Sequence, residues 1–213
     1  MLDQLAEWIV KIPVLLFAIT VHEYAHARTA LLLGDPTAKL SGRITFNPIS
    51  HLDPFGAICL FLFNFGWAKP VPINPRYFRN PRMGSLWVSL AGPLVNLGVA
   101  LLTGILIRYF LFPSQGYLTV LITMLLMNIG LGLFNLLPIP PLDGSHVLES
   151  LLPENALVTY RQIERYAPIV LVSIFLADQF LHLGIFSRLL GYPIFYLAHL
   201  FAGDNLFKLL RLL

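Results

Sequence analysis

His22, Glu23 and His26 stand in the run His22-Glu23-Tyr24-Ala25-His26, an HExxH pattern. On a helix, residues four apart share a face, so the two imidazoles can bind one metal ion and Glu23 can reach water held there. Zinc suits such a set. It takes three protein ligands in hydrolytic sites, keeps a position for water and lowers the pKa of that water to about 7. A neighbouring carboxylate can accept the proton and return it to a leaving amine. Chance alone would produce the pattern in a chain of this length about once in a hundred. The setting adds weight: one ionised group at the centre of a membrane helix costs about 2.5–3.5 kcal/mol, and here three polar residues fall within five positions of an apolar stretch. Other classes that would use such groups are a metal or proton transporter and an inactive substrate-binding scaffold.

Two further histidines and three acidic positions offer themselves as a third ligand: His51, Asp53, Asp143, His146 and Glu149. Asp143 follows the break Asn135-Leu-Leu-Pro138-Ile-Pro140-Pro141, where the chain cannot stay helical and can turn a side chain inward. An aspartate there can equally cap a short helix beginning at Gly144. The residues alone leave both readings open. For His51 and Asp53, gating of a substrate and plain loop structure are likewise both open, while His182 and His199 read as interfacial.

The elements that must position these groups are membrane helices. Of 213 residues, 57% are hydrophobic and 12% charged, against about 25% charged in soluble domains. The expected architecture is an all-α polytopic membrane protein, a bundle of roughly four to six transmembrane helices with a small β-hairpin or re-entrant element at the cytoplasmic side. A first helix is expected over about 5–33, stopped by Gly34-Asp35-Pro36, with spans at about 85–107, 117–137 and 167–183. Residues 37–48 alternate weakly and suggest the hairpin. Residues 54–67 are apolar but too short to span, which suggests the re-entrant piece, and 185–213 suggest a last span with an amphipathic interfacial tail. The whole of 1–213 reads as one domain, with a catalytic core over about 8–152 and C-terminal helices over about 166–213.

The net charge is +3, yet the basic residues flank apolar spans instead of forming a stripe, which argues against nucleic acid. Lys39, Arg43, Lys69, Arg76, Arg79 and Arg82 lie between the first two spans, and the connection at 112–116 has no basic residue. The positive-inside rule therefore predicts a cytoplasmic first loop, an outside N-terminus and an active site opening toward the cytoplasm. The early charges Asp3 and Glu7 argue against a cleaved signal peptide. Cys59 is the single cysteine, so no internal disulfide is expected.

With both motifs in hand, the chain resembles the site-2 protease family, intramembrane zinc metalloproteases that pair HExxH with a later Asn…Pro…Asp-Gly segment. Asn135-Leu-Leu-Pro-Ile-Pro-Pro-Leu-Asp143-Gly144 matches the second half. Asn47-Pro48-Ile-Ser-His51-Leu-Asp53-Pro54, Trp67-Ala-Lys69-Pro70-Val-Pro72 and Ala91-Gly92-Pro93-Leu-Val-Asn96 resemble the short branch without PDZ or CBS domains. The likeness covers about 8–152. It implies Zn2+ bound by His22, His26 and Asp143, Glu23 as general base and Asn135 as a substrate-binding residue. The expected partner is a membrane protein cleaved in or near a transmembrane segment; an edge strand within 37–46 would pair with the unwound substrate.

Overall fold

The computed structural model describes residues 2–63, 66–110, 114–204 and 206. Its long helices are α1 (Leu2–Leu32), α4 (Pro81–Tyr109), α5 (Gln115–Asn135) and α9 (Ile185–Ala202); shorter ones are α2 (Thr37–Leu40), α3 (Pro54–Phe63), α6 (Asp143–Leu151), α7 (Glu154–Glu164) and α8 (Ala167–Leu181). Among the described residues, four segments are long and apolar enough to cross a membrane: Trp8–Leu32, Pro81–Tyr109, Gly116–Asn135 and Ile185–Ala202. The chain is a multi-pass, all-α membrane protein.

The β-hairpin expectation over 37–48 is overturned, and with it the edge strand for substrate within 37–46: no strand occurs among the described residues. The reason is local. Asp35, fully buried behind Pro36, accepts hydrogen bonds from the backbone N–H and the hydroxyl of Thr37, which starts the one-turn helix α2. Gly42, at φ +66°, then turns the chain, and Pro48–His51 forms a 3-10 turn capped by Asn47. The sole extended pairing described is an isolated antiparallel bridge between Leu52 and Ala68.

A second difference concerns the last quarter of the chain. Helix α8 has 15 residues, about 22 Å, against roughly 30 Å of hydrocarbon. The apolar run stops because His182 and Gly184 take left-handed conformations, at φ 52° and 67°. Asp178 then reaches over to accept from the backbone N–H groups of Ile185 and Phe186, capping α9. The span expected at 167–183 is thus too short by this measure, whereas the last span expected after 185 is present as α9. The amphipathic tail falls almost wholly outside the described residues.

Two compact units divide the chain, Met1–Val95 and Asn96–Leu213, with the single helix α4 contributing to each. In the first, α1 packs on α2 and on the 3-10 turn. Small residues permit the approach: Ala27 and Ala38 pack with Val71, and Ala30 with Phe78 and Val88. In the second, the C-terminal half of α4 joins α5 and α9 around Ala100, Ile107, Leu125, Ile129, Ala198 and Ala202. Gly104 brings α4 close to α9, since a Cβ there would fall 2.5 Å from that of Phe201. Inside this apolar cluster the buried amide of Asn96 donates to Asn128 at 2.9 Å, and Asn128 donates to Met124 O. In lipid such a bond contributes about 0.6–2 kcal/mol.

Candidate metal centre and active site

Helix α1 continues without interruption through His22, Glu23 and His26, all three less than one-tenth exposed. The imidazoles meet edge to face with centroids 4.7 Å apart and Nε2 atoms 3.0 Å apart. Nδ1 of His26 lies 2.7 Å from Val88 O on α4. A carbonyl only accepts, so Nδ1 carries the proton and Nε2 keeps its lone pair for a metal. Two ring nitrogens this close repel unless a proton or cation lies between them. Two nitrogens on one tetrahedral zinc stand about 3.3 Å apart, from Zn–N bonds of about 2.0–2.1 Å. The pair therefore fits zinc.

The cradle for this pair is Gly92. A Cβ at that position would lie 2.4 Å from Nε2 of His26 and 2.7 Å from Nε2 of His22. Only a hydrogen fits. Pro93 follows within the same helix and is fully buried; lacking an N–H, it frees the carbonyl of Ser89 from the helical ladder. In the sequence Gly92 stands only as part of the stretch Ala91-Gly92-Pro93-Leu-Val-Asn96, with no role of its own. The available signal was a Gly-Pro pair inside an apolar span, which disfavours a helix unless something needs close approach.

In the second unit, Asn135 is the last residue of α5, half-buried, with its Nδ2 donating to Leu131 O at 3.0 Å. That leaves its other N–H and its Oδ1 for other partners. The chain then turns through Ile139 and Leu142, whose N–H groups bond Leu137 O and Ile139 O. Helix α6 starts at Asp143 itself, with Leu142 in the N-cap position. Asp143 is therefore not the N-cap residue, the alternative its position had left open. Half-buried, it occupies the first turn, where the helix dipole favours a carboxylate. Gly144 is needed next to it, because a Cβ would lie 2.2 Å from Leu136 O and 2.5 Å from Leu137 O. Tyr160 of α7 braces the start of α6 by donating to Ser145 O at 3.0 Å. Burial and the nearby Glu164 and Glu149 push its phenol above the ordinary value, against the lowering effect of that bond.

The other candidate ligands are committed elsewhere. His51 is fully buried and bonds Thr45 O through Nε2, and Lys69 N donates to the backbone carbonyl of His51, so it holds the loop together. Asp53 accepts from Gly56 N at 2.8 Å and opens α3. His146 and Glu149 face each other on α6, and Arg161 bonds Glu149 at 3.0 Å. Sequence reading also missed Asp35, seen there only as part of a helix stop. Besides Thr37, it accepts from Asn74 N at 2.6 Å, tying the end of α1 to the loop before α4.

A buried imidazole pair on a helix long and apolar enough to cross a membrane, with Glu23 next to His22 in the same helix, defines a metal-dependent hydrolase of the bilayer. Residues 111–177 match Peptidase family M50. The chain is 42% identical over 169 residues to "Putative zinc metalloprotease YwhC" of Bacillus subtilis (strain 168), covering 76% of this chain and 77% of that one. It is also 31% identical over 140 residues to "Putative zinc metalloprotease Rip2" of Mycolicibacterium smegmatis, covering 63% and 54%. The Mycobacterium tuberculosis H37Rv protein of the same name is 30% identical over 169 residues, covering 76% and 64%. No solved structure matches. The chain belongs to Peptidase family M50 and is an intramembrane zinc metallopeptidase.

Proposed function

We propose that His22, His26 and Asp143 hold the zinc ion, that Glu23 is the general base and that Asn135 binds the substrate backbone. The substrate is a membrane protein, cut at a peptide bond in or near a transmembrane segment. One domain over 1–213 carries the activity, with its core at about 8–152 and its C-terminal helices over about 166–213. The observation that supports this best is the His22–His26 pair, 3.0 Å apart at Nε2 and seated against Gly92 on a candidate membrane span.

Bound zinc supplies Lewis-acid polarisation of a carbonyl and acidifies water. The chain's own groups do the rest. The carbonyl of Val88 orients His26 and fixes its tautomer. Glu23, one residue from a ligand and buried with it, accepts a proton from water and passes it to the leaving amine. The amide of Asn135 hydrogen-bonds an extended stretch of substrate, which must first unwind because its carbonyls are otherwise tied into i→i−4 bonds. Basic residues 39, 43, 69, 76, 79 and 82 favour a cytoplasmic first loop, an outside N-terminus and entry of water from the cytoplasmic side of the cell membrane. Helix α3, 10 residues and about 15 Å long, fits a re-entrant or interfacial segment.

Glu23→Gln provides the test. The variant should retain zinc at the wild-type stoichiometry and lose at least about a hundredfold in cleavage of a membrane substrate, the lower range for a lost general base. Cleavage at the wild-type rate with zinc still bound would remove Glu23 from the mechanism.

A further inference from the structure

The connection at 33–80 joins the end of α1 to the start of α4, two helices long and apolar enough to cross a membrane, and is therefore held at one face of the bilayer. Between residues 28 and 82 the sequence has seven basic residues and two acidic ones. Both acids are used inside the fold. Asp35 is fully buried on Thr37 and Asn74, and Asp53 accepts from Gly56 N. Arg43 is buried and donates to Lys69 O, and Arg82 has a partner within the chain. The other five cations, Arg28, Lys39, Lys69, Arg76 and Arg79, are exposed, and among the described residues their side chains have no hydrogen-bond or ion-pair partner.

The fold gathers these free charges around the end of α1. The carboxylate of Asp35 takes the N–H groups of both Thr37 and Asn74, so Lys39 and Arg76, each two residues further on, leave from one anchor point. Gly34 approaches Tyr77 so closely that a Cβ would lie 3.2 Å from its carbonyl oxygen, and Ala30 packs on Phe78, the neighbour of Arg79. The N–H of Arg43 bonds Ala38 O while its guanidinium holds the carbonyl of Lys69. Arg28 lies about one turn before the end of the helix. A cationic platform pinned to α1 results, with its charges at fixed places.

Exposed apolar groups are interleaved with the charges. Leu40, 81% exposed, follows Lys39; Tyr77 follows Arg76; Trp67 stands two residues before Lys69; and Ile49 and Phe55 are each 74% exposed. A polar partner would leave that apolar area wet. The headgroup layer of a bilayer satisfies both kinds of group, since it takes cations at its phosphates and large apolar side chains at the acyl boundary. We propose that this platform docks on the anionic phospholipid headgroups of its own bilayer, with Lys39, Lys69, Arg76 and Arg79 on the phosphates and Leu40, Ile49 and Phe55 at the acyl boundary. The docked platform sets the depth at which α1, the helix of His22 and His26, ends.

The test uses the full chain in symmetric vesicles, so its outcome does not depend on which leaflet the platform faces. Trp67 is the reporter, in a Trp8→Phe, Trp87→Phe background that holds no other tryptophan. At low salt, quenching by brominated phosphatidylglycerol should give a lipid affinity about fivefold above that of brominated phosphatidylcholine with the same chains, the contribution of one basic side chain near an anionic surface. Lys39→Gln, Lys69→Gln, Arg76→Gln and Arg79→Gln together remove no contact within the fold and should bring the ratio to about one. Raising salt from about 0.01 to about 1 M, which shortens the screening length from about 30 to about 3 Å, should do the same. Arg188→Gln, which removes an exposed cation of α9, should leave the ratio unchanged. A wild-type ratio near one overturns the proposal; binding of a fluorescent acidic peptide to the chain in phosphatidylcholine vesicles, lost in the fourfold variant, would then assign the platform to an acidic protein segment. A preference that survives high salt or the fourfold substitution overturns it too. An equal loss in Arg188→Gln overturns it in favour of overall charge as the attraction for the lipid.

Discussion

His26 illustrates how little freedom a buried imidazole has. One ring nitrogen is spoken for by Val88 O, the other faces His22, and the space above both is limited by Gly92. Gly92→Ala would place a methyl group 2.4–2.7 Å from two ring nitrogens, an overpacking that costs about 1–3 kcal/mol in a tight interior. The imidazoles must then swing away. Zinc content by atomic absorption should fall well below one per chain, together with activity, while the helical circular dichroism signal stays near wild type. Full zinc occupancy in that variant would mean that the helices yield instead. That His22 and His26 would meet on one helix was legible from spacing alone, because i and i+4 are neighbours on any helix. Gly92 was not, since what it needs is visible only as the close approach of α1 and α4, which are far apart in the chain. Asp143 was legible as a position but not as a conformation: whether an aspartate after Pro141 caps a helix or begins it depends on a backbone turn that the residue types leave undetermined.

At the scale of elements, long apolar helices announced themselves and short polar connections did not. The first three spans follow from length and hydropathy, and their ends fall within a few residues of the expected ones; the span expected at 167–183 is too short, and the fourth lies within 185–213, where only a last span of unstated bounds was expected. The hairpin at 37–48 failed because weak alternation was outweighed by one buried carboxylate. Burial by itself would raise the pKa of Asp35, but the Thr37 hydroxyl and the backbone N–H groups of Asn74 and Thr37 outweigh it and hold the carboxyl below its usual value. A depressed folded pKa means that the stabilisation is present above the unfolded pKa, about 3.9, and fades as pH falls through the lower folded value. Asp35→Asn should therefore lower the thermal midpoint at pH 7, by an amount equivalent to about 1–3 kcal/mol. The gap between variant and wild type should narrow steadily between pH 4 and the onset of acid unfolding, about 3 or below. A gap independent of pH over that interval would show that the ionised form is not what ties α1 to the loop before α4.

For the whole molecule, the open matter is which way it sits in the bilayer, and the chain is convenient for asking. Cys59 is the single cysteine, so a Cys59→Ser background carries no thiol. Arg79 and Ser114 are both exposed, and they fall at opposite ends of the helix pair α4 and α5. In that background, Arg79→Cys should react with a membrane-impermeant maleimide only in inside-out vesicles and Ser114→Cys only in right-side-out vesicles. The reverse pattern would invert the orientation drawn from the basic first loop.

The buried Asn96–Asn128 pair has a consequence for how α4 and α5 find each other. Helix α5 is apolar on nearly every side, so greasiness gives it no preferred azimuth. Each residue of slip turns a helix by about 100°, which would strand two amides in hydrocarbon at several kcal/mol apiece. The pair thus acts as a rotational key, accepting one seating of the hairpin and rejecting its neighbours. Because Asn135 lies seven residues, about two turns, beyond Asn128 on the same helix, the same key sets the bearing at which Asn135 leaves α5.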